Sequence, residues 1–425
     1  MSRSSAASSA RSDERARFVS RAPGDITLLF ITRSIRLFAY GFLSIVFVLY
    51  LARIGMDGPT IGLLLGLTLL GDAAISLWIT TRADRAGRRR MLIVGAALMA
   101  AGGAAFLLTR NPAVLMLAAI VGVISPSGNE IGPFLSIEQA ALSHLVPDSD
   151  RTRIFAWYNL AGSAATALGA LAGGWATHLA QVRGVSEVDS YRVLLAAYAV
   201  AGVLLGVLFT RVSPAVEVAP SSDEGAWRSR FGLHRSKGVV ARLSALFALD
   251  ALGGAFILQS VMAYWFHVRF GASVAAVGTL FFGANLLAAV SALLAHRIAA
   301  RIGLVNTMVF THLPSNVMLV LVPLMPTMAS AMGLLLARFA ISQMDVPTRQ
   351  SYTMAVVAPD ERSAAAGVTA IARSLGAGLA PMIGGAFLLS GSGAPFFVAG
   401  GLKIAYDLLL FRAFRRTPTS ADSSR

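Results

Sequence analysis

Residues 80–90 read TTRADRAGRRR, a charged turn between two apolar runs at 61–79 and 91–108. Each run is close to the roughly 20 residues that a helix needs to cross a bilayer. Asp72 is the only ionisable residue in the two runs together. A short basic turn between two such spans is typical of a membrane transporter.

The composition is that of a membrane protein. Of the 425 residues, 56% are hydrophobic and 13% are charged, whereas a soluble chain carries about 25% charged residues. The formal charge of +15 comes from short basic clusters between apolar runs, which favours orientation in a membrane over binding to nucleic acid. The sequence lacks cysteine, a phosphate-binding loop and histidine pairs with metal-ligand spacing. We therefore predict no enzyme activity, no metal, no cofactor and no nucleic-acid partner.

Twelve apolar runs can be placed along the chain. They predict an all-α membrane protein with twelve transmembrane helices in two pseudo-symmetric six-helix bundles. The predicted spans are 25–52, 58–81, 90–109, 113–143, 154–179, 191–212, 241–268, 273–297, 303–325, 328–356, 363–390 and 394–414.

Polar segments set the predicted domain boundaries. The divisions are a disordered tail at 1–24, a first bundle at 25–212, a linker at 213–240, a second bundle at 241–414 and a tail at 415–425. Arginine and lysine are concentrated on the side that holds the tails, the 80–90 turn and the linker. Because this bias marks the cytoplasmic side, we expect both termini in the cytoplasm and the protein in the plasma (inner) membrane.

Short motifs recur in the two halves in the same order and at a nearly constant offset. The pairs are Arg53-Ile54-Gly55 with Arg269-Phe270-Gly271, Arg85-Ala86-Gly87 with Arg301-Ile302-Gly303, and Pro147-Asp148 with Pro359-Asp360. Many transporters build a central site from internal repeats. The sequence therefore predicts a duplicated six-helix unit.

With this organisation, the 80–90 turn resembles the signature loop of the major facilitator superfamily, Gly-x-x-x-Asp-Arg-x-Gly-Arg-Arg. Thr80 stands where the family has its leading glycine. Five residues match the rest of the pattern: Asp84, Arg85, Gly87, Arg88 and Arg89. The resemblance covers nearly all of 25–414 and implies a secondary transporter that works by alternating access. It also implies that the loop is a conformational gate, in which Asp84 pairs with the other half and holds the outward-facing state.

Arg33, Arg36 and Tyr40 lie on one face of the first predicted helix, because three or four residues separate them. Ionisable groups inside a membrane are costly and usually face a cavity or a partner. The repeat places Asp250 of the seventh span at the depth of Arg33. We therefore expect Asp250 to pair with Arg33 or Arg36.

Other buried charges divide into coupling and structural candidates. Asp72 has no basic residue three or four positions away on its own helix, and a buried carboxylate of this kind can bind and release a proton. We interpret His312, beside Pro314, as a hydrogen-bonded helix residue. Lys403 and Asp407 are four residues apart and are expected to neutralise each other.

The fourth and tenth spans carry corresponding polar interruptions, SPSGNEIGP at 125–133 and MDVPTRQ at 344–350. Stretches interrupted by glycine or proline at matching places in two halves indicate a transporter site. Both lie towards the cytoplasmic ends of their spans, so a gate is the alternative. They and the preceding turn contribute the candidate residues Asn129, Glu130, Arg338, Asp345 and Arg349.

These features predict a monomeric secondary active transporter whose partners are a small-molecule solute, protons and the lipid bilayer. The first hypothesis is an antiporter for proton-coupled efflux of small organic or drug-like solutes. It draws on the buried acids and on a run at 169–174 that resembles, without its proline, a glycine-rich run in helix 5 of many exporters.

The alternative is transport of an organic carboxylate or oxyanion. A third hypothesis is a non-transporting sensor or scaffold on the same fold. The arginines of the alternative are Arg33, Arg36, Arg338, Arg349 and Arg373.

Overall fold

The computed structural model describes residues 2–130, 132–217 and 233–415, and the side chains of residues 2–23, 84, 85, 148, 152, 359 and 363 lie outside the description. The first half holds helices α1 (Ser2–Arg53), α2 (Gly58–Ala86), α3 (Arg88–Leu108), α4 (Pro112–Val121), α5 (Phe134–Leu145), α6 (Asp148–Val182) and α7 (Glu187–Phe209). The second half holds α8 (Lys237–Ala255), α9 (Gln259–Phe270), α10 (Val274–Ile302), α11 (Leu304–Leu321), α12 (Met328–Ser342), α13 (Asp345–Val356), α14 (Arg362–Leu388) and α15 (Ala394–Phe414). Short 3-10 turns occur at Pro214–Val216, Val322–Leu324 and Pro359–Glu361.

Nine segments of the described chain are long and apolar enough to cross a membrane. One of them, Lys237–Phe270, consists of α8 and α9 together. Helix α6 and the broken pairs α4/α5 and α12/α13 occupy the other three predicted positions. The twelve-span prediction is therefore consistent with the helices of the described residues.

Three spans that were predicted as continuous are each divided into two helices. The predicted spans are 113–143, 241–268 and 328–356, and the breaks fall after Val121, Ala255 and Ser342. In the first break, Pro126 and Pro133 supply no backbone N–H for a helix. Val123 has a φ of +49°, a conformation that is a rare outlier for a β-branched residue.

The ends of the two bundles differ in part from the predicted divisions. The backbone is already helical from Ser2, in the segment that composition alone assigns to a disordered tail. The second bundle begins at Lys237, inside the predicted linker. Residues 218–232 of that linker and 416–425 of the terminal tail lie outside the described residues.

Glycines at corresponding turns of the two halves share a backbone conformation. Gly87 and Gly303 follow α2 and α10 with φ of +97° and +86°, and Gly55 and Gly271 have φ of +92° and +65°. Glycine reaches this region without the steric cost that other residues meet. The matching turns support the predicted duplication.

The two halves meet where 58–66 of α2 packs on 378–385 of α14, and where 170–174 of α6 packs on 274–278 of α10. These contacts, which we call the closed end, lie at the end of the bundle opposite the 80–90 turn. A Cβ on Gly66 would lie 2.5 Å from the Gly378 carbonyl oxygen, and one on Gly174 would lie 2.6 Å from that of Val274. Helix backbones approach this closely only where side chains are absent or small.

Candidate functional site

A cavity of about 600 Å³ lies between the two halves. It is lined by residues of α1, α2, α6, α8, α9, α10, α12, α13, α14 and α15, and by the breaks that separate α4 from α5, α8 from α9 and α12 from α13. Phe339 is the one aromatic residue of this lining within the described part of the chain. The charged lining residues are Arg33, Glu130, Asp250, Arg338, Arg373 and Lys403.

One charged cluster, the N-cluster, belongs entirely to the first half. Arg36 is fully buried, and its Nη2 lies 2.6 Å from both Glu130 Oε1 and Glu138 Oε2. Arg33 Nη2 lies 3.0 Å from Glu130 Oε2. Two arginines therefore balance two carboxylates, which is how buried charges are tolerated.

Aromatic rings hold the N-cluster in place. The Tyr158 hydroxyl donates to Glu138 Oε2 at 2.5 Å. The Arg33 guanidinium lies 4.2 Å from the Tyr158 ring centre, and that of Arg36 lies 4.4 Å from the Phe134 ring centre. These contacts add cation–π attraction to the ion pairs and help to fix both arginine side chains, of which Arg33 lines the cavity.

A second cluster, the C-cluster, is built around Asp250 on α8. Lys403 Nζ lies 2.6 Å from Asp250 Oδ1, and Arg349 Nη1 lies 2.9 Å from Asp250 Oδ2. Arg373 Nη1 approaches the same carboxylate at 3.5 Å. Arg349 also pairs with Asp345, 3.1 Å away on its own helix.

The structure contradicts two expected ion pairs. The pairing of Asp250 with Arg33 or Arg36 is wrong, since each half supplies its own counter-ions to these groups. The mutual neutralisation of Lys403 and Asp407 is also wrong, because Lys403 reaches across to α8 instead. Depth and helical spacing do not identify which neighbouring helix carries the partner.

Asp407 instead contacts α11. His312 Nδ1 lies 2.8 Å from Asp407 Oδ1, and Asn316 Nδ2 donates to Asp407 Oδ2 at 2.9 Å. His312 Nε2 points to Asp250 Oδ1 at 3.9 Å. His312 therefore lies between two carboxylates, one of which lines the cavity.

Several arginine N–H groups at the cavity have no hydrogen-bond acceptor within the described residues. They are Arg33 Nε and Nη1, Arg338 Nε and Arg373 Nη1. Arg338 is 6% exposed and forms no ion pair with any residue that the structure describes, although its guanidinium lies 5.1 Å from the Phe339 ring centre. Buried donors of this kind are costly unless an acceptor reaches them.

The remaining predicted site residues lie around the cavity rather than in it, apart from Asn129. Asn129 lines the cavity, and its carbonyl accepts from Ser125 Oγ at 2.8 Å. Tyr40 is buried and stacks on Tyr198 at 6.2 Å. Asp72 faces the break between α4 and α5, where its Oδ1 has no hydrogen-bond partner among the described residues. Asp345 and Arg349 are absent from the cavity lining, and Arg349 contacts Asp250, which belongs to it.

The predicted gate is described only in part, because the side chains of Asp84 and Arg85 lie outside the description. Gly87 joins α2 to α3. The Glu217 carboxylate, at the start of the linker, accepts from the backbone N–H of Arg88 at 2.6 Å and of Arg89 at 3.1 Å. A carboxylate at the start of α3 meets the positive end of the helix dipole. Sequence reasoning missed Glu217, because it lies 128 residues from Arg89.

Sequence reasoning also missed the polar contact between halves at the helix breaks. Gln259 Nε2 donates to Ser44 Oγ at 2.7 Å, and the Ser260 N–H donates to the Pro126 carbonyl at 3.1 Å. Gln259 interrupts an apolar run just after Gly253-Gly254. That interruption is the signal that could have found it.

The family model described as Major Facilitator Superfamily matches residues 29–378. The chain belongs to this superfamily. It is 31% identical over 421 residues to the uncharacterized membrane protein YJR124C of Saccharomyces cerevisiae, with 92% of this chain and 94% of that protein covered. Membership confirms the resemblance to the superfamily and the all-helical membrane fold. Since this is a family of transporters, it also confirms the prediction that the protein is not an enzyme.

Solved structures share the fold of this transporter. One is a bacterial homologue of the human lysosomal transporter Spinster, inward-facing and unoccupied, with a TM-score of 0.72 and 15% identity over 93% of this chain and 97% of that chain. Another is a D-xylose–proton symporter, with a TM-score of 0.67 and 14% identity over 91% of this chain and 97% of that chain. At these identities the likeness concerns the fold.

Proposed function

We propose that the protein transports a small anionic solute, an organic carboxylate or an oxyanion, which binds in the central cavity. The observation that carries the proposal is the charge of the lining. Arg33, Arg338, Arg373 and Lys403 face the cavity against Glu130 and Asp250. A volume of about 600 Å³ suits a small solute.

Arg338 is the best placed of these groups to hold the anion. Arg33 and Lys403 are each within 3.0 Å of a protein carboxylate, and Arg373 shares Asp250 with two other cations. Arg338 lacks such a partner among the described residues, and its Nε remains unsatisfied there. A planar guanidinium suits bidentate binding of a carboxylate or phosphate.

Efflux of neutral or cationic drug-like compounds, the other hypothesis from the sequence, has weaker support. Such compounds bind in pockets lined mainly by hydrophobic and aromatic groups, whereas in this lining six charged residues stand among the aliphatic side chains and Phe339 supplies an aromatic ring. The run at 169–174 packs closely, since a Cβ on Gly174 would meet Val274 and Gly278. This packing gives the glycines a structural reason that is independent of export.

The proposed mechanism is alternating access by a monomer, driven by a proton gradient. The contacts of the closed end separate the cavity from one side of the membrane. If the arginine-rich side is cytoplasmic, the closed end is external and the described state is open to the cytoplasm, with both termini on that side. Asp84 and its loop would then close the opposite end in the outward-open state.

Thermal unfolding of the purified protein in detergent tests the proposal. Acetate, succinate, benzoate and phosphate are compared at equal ionic strength with acetamide, succinamide, benzamide and glycerol. We expect at least one anion to raise the melting temperature while its neutral counterpart does not, since a ligand at a hundredfold excess over Kd stabilises the folded state by about 2.7 kcal/mol.

Two variants make this experiment specific. Arg338→Gln should abolish the stabilisation by the anion, whereas Arg301→Gln, at an exposed position near the end of α10, should retain it. Uptake of the same anion into proteoliposomes then separates a transporter from a non-transporting sensor. Equal stabilisation by the neutral counterparts, or an unchanged response in Arg338→Gln, would exclude the anion site.

A further inference from the structure

We propose that His312 and Asp407 form a proton-binding site in the second half, reached from the cavity through Asp250. This inference rests on the proposed function, because it names the coupling site of a proton-driven anion transporter. It assigns coupling to α11 and α15 rather than to Asp72, the candidate that the sequence favours.

The geometry forms a chain from the cavity to the interior of the half. Asp250 lines the cavity and is 5% exposed, His312 is 3% exposed, and Asp407 is fully buried. His312 Nδ1 is 2.8 Å from Asp407 Oδ1, and its Nε2 is 3.9 Å from Asp250 Oδ1. An ionised carboxylate only accepts hydrogen bonds, so Nδ1–H donates to Asp407 and the Nε2 lone pair faces Asp250.

The proton transfer at this site is simple. A hydronium ion in the cavity loses one O–H bond and becomes water, its proton passes by way of Asp250 Oδ1 to His312 Nε2, where one N–H bond forms, and the neutral imidazole becomes an imidazolium. The imidazolium then lies between Asp407 and Asp250, both of which favour the charged form. Of the six histidines, His312 alone is buried, and the other five are half-buried or exposed.

The neighbouring helices supply further charges around His312. Helix α15 supplies Lys403, Tyr406 and Asp407; α8 supplies Asp250; α12 supplies Arg338; α13 supplies Asp345 and Arg349; and α14 supplies Arg373. The ionisable residues His296, Arg297 and Arg301 of α10 occupy exposed positions near its end. Without His312, the set holds four basic groups and three carboxylates.

This charge balance links the proton to the anion. Four basic groups and three carboxylates give this set one excess positive charge. A proton on His312 adds a second, and an anion at Arg338 removes one. Each therefore favours binding of the other, and this coupling is reciprocal. Cooperative binding of proton and anion is the thermodynamic basis of symport, so we infer that the two cross the membrane together.

Asp72 is less suited to this role for a geometric reason. It is absent from the cavity lining and faces the break between α4 and α5. No described ion pair joins it to either cluster. Protonation of Asp72 would therefore have little electrostatic effect on an anion at Arg338.

Nitrogen NMR of the purified protein tests the site without any transported solute. The five other histidines are replaced by glutamine, so that a protein labelled with 15N-imidazole histidine reports His312 alone. We expect conversion from neutral imidazole to imidazolium between about pH 5 and 9. Asp407→Asn should lower the midpoint by about one pH unit or more, which is a tenfold loss of proton affinity.

Controls separate this result from general damage and from failure of the anion proposal. Asp345→Asn, which alters Arg349 rather than His312, should move the midpoint much less than Asp407→Asn. If Asp407→Asn does not fold, Asp250→Asn should lower the midpoint instead. A His312 that keeps one protonation state from about pH 5 to 9 would overturn the inference, whatever the anions do in the thermal assay. A His312 midpoint that is unchanged in both Asp407→Asn and Asp250→Asn would also overturn it.

Discussion

Lys403 Nζ lies 2.6 Å from Asp250 Oδ1 on another helix, although Asp407 is the acid one turn away on its own helix. Asp250 also receives Arg349 and Arg373. One buried carboxylate thus compensates several cations. Its removal would leave those cations without their shared counter-ion.

The first prediction concerns this compensation. Asp250→Asn should lower the free energy of unfolding by about 3–5 kcal/mol, as for other buried pairs that lose one partner. Lys403→Gln added to Asp250→Asn should recover part of that loss, because one uncompensated cation is removed. Thermal or denaturant unfolding in detergent measures the double-mutant cycle.

An exposed ion pair supplies the control for this cycle. Arg53 and Glu187 form a pair whose side chains are 49% and 42% exposed. Glu187→Gln should change stability by about 1 kcal/mol or less, since water screens such pairs. Equal losses in Asp250→Asn and Glu187→Gln would contradict the burial argument.

The fold was largely predictable because bilayer thickness and helix rise fix the length of a span. The repeat added the turn glycines, and Gly87 and Gly303 do share a positive φ. The helix breaks were not predictable as breaks. At a break, backbone N–H and C=O groups that lack a partner in the helix find their hydrogen bonds elsewhere in the fold, as when the Ser260 N–H donates to the Pro126 carbonyl of the other half. Hydropathy carries no information about such partners.

The candidate site was predictable in composition but not in pairing. Helical spacing correctly grouped Arg33 with Arg36, and both meet Glu130. It could not show that the same half supplies the carboxylates, because spacing along one helix gives a face and a depth only. For the same reason Asp407 was assigned to its neighbour on α15 rather than to His312.

The second prediction concerns the side from which the cavity is reached. The chain has no cysteine, so Ser163→Cys in the cavity lining would introduce its only thiol. In inverted vesicles, whose cytoplasmic face is outside, a membrane-impermeant maleimide should label it readily. In right-side-out vesicles labelling should be at least several-fold slower. The reverse pattern would show that the closed end is cytoplasmic.

The third prediction concerns the packing of the closed end. Gly66→Ala places a Cβ 2.5 Å from the Gly378 carbonyl oxygen, which forces α2 and α14 apart. The cysteine at position 163 should then become labelled from the opposite side as well. Gly401→Ala is the matched control, because its Cβ meets nothing within 4 Å. It should leave labelling unchanged and could stabilise the helix by up to about 1 kcal/mol.

The fourth prediction concerns Glu361, whose carboxylate caps the start of α8. It accepts from the backbone N–H of His234, from that of Arg235 at 2.7 Å and from that of Ser236 at 2.9 Å. Desolvation raises the pKa of Glu361, but the hydrogen bonds from Ser236, Arg235 and His234 outweigh it and lower the pKa to about 2.

Because the folded-state pKa lies below the ordinary value of about 4.3, Glu361 stabilises the fold fully above that value. The contribution is lost as pH falls from there towards 2. The melting temperature of the native protein should therefore exceed that of Glu361→Gln by a constant amount above about pH 5.5, and the difference should shrink by about pH 3. A difference that stays constant down to about pH 3 would mean that the ionised carboxylate does not supply the cap.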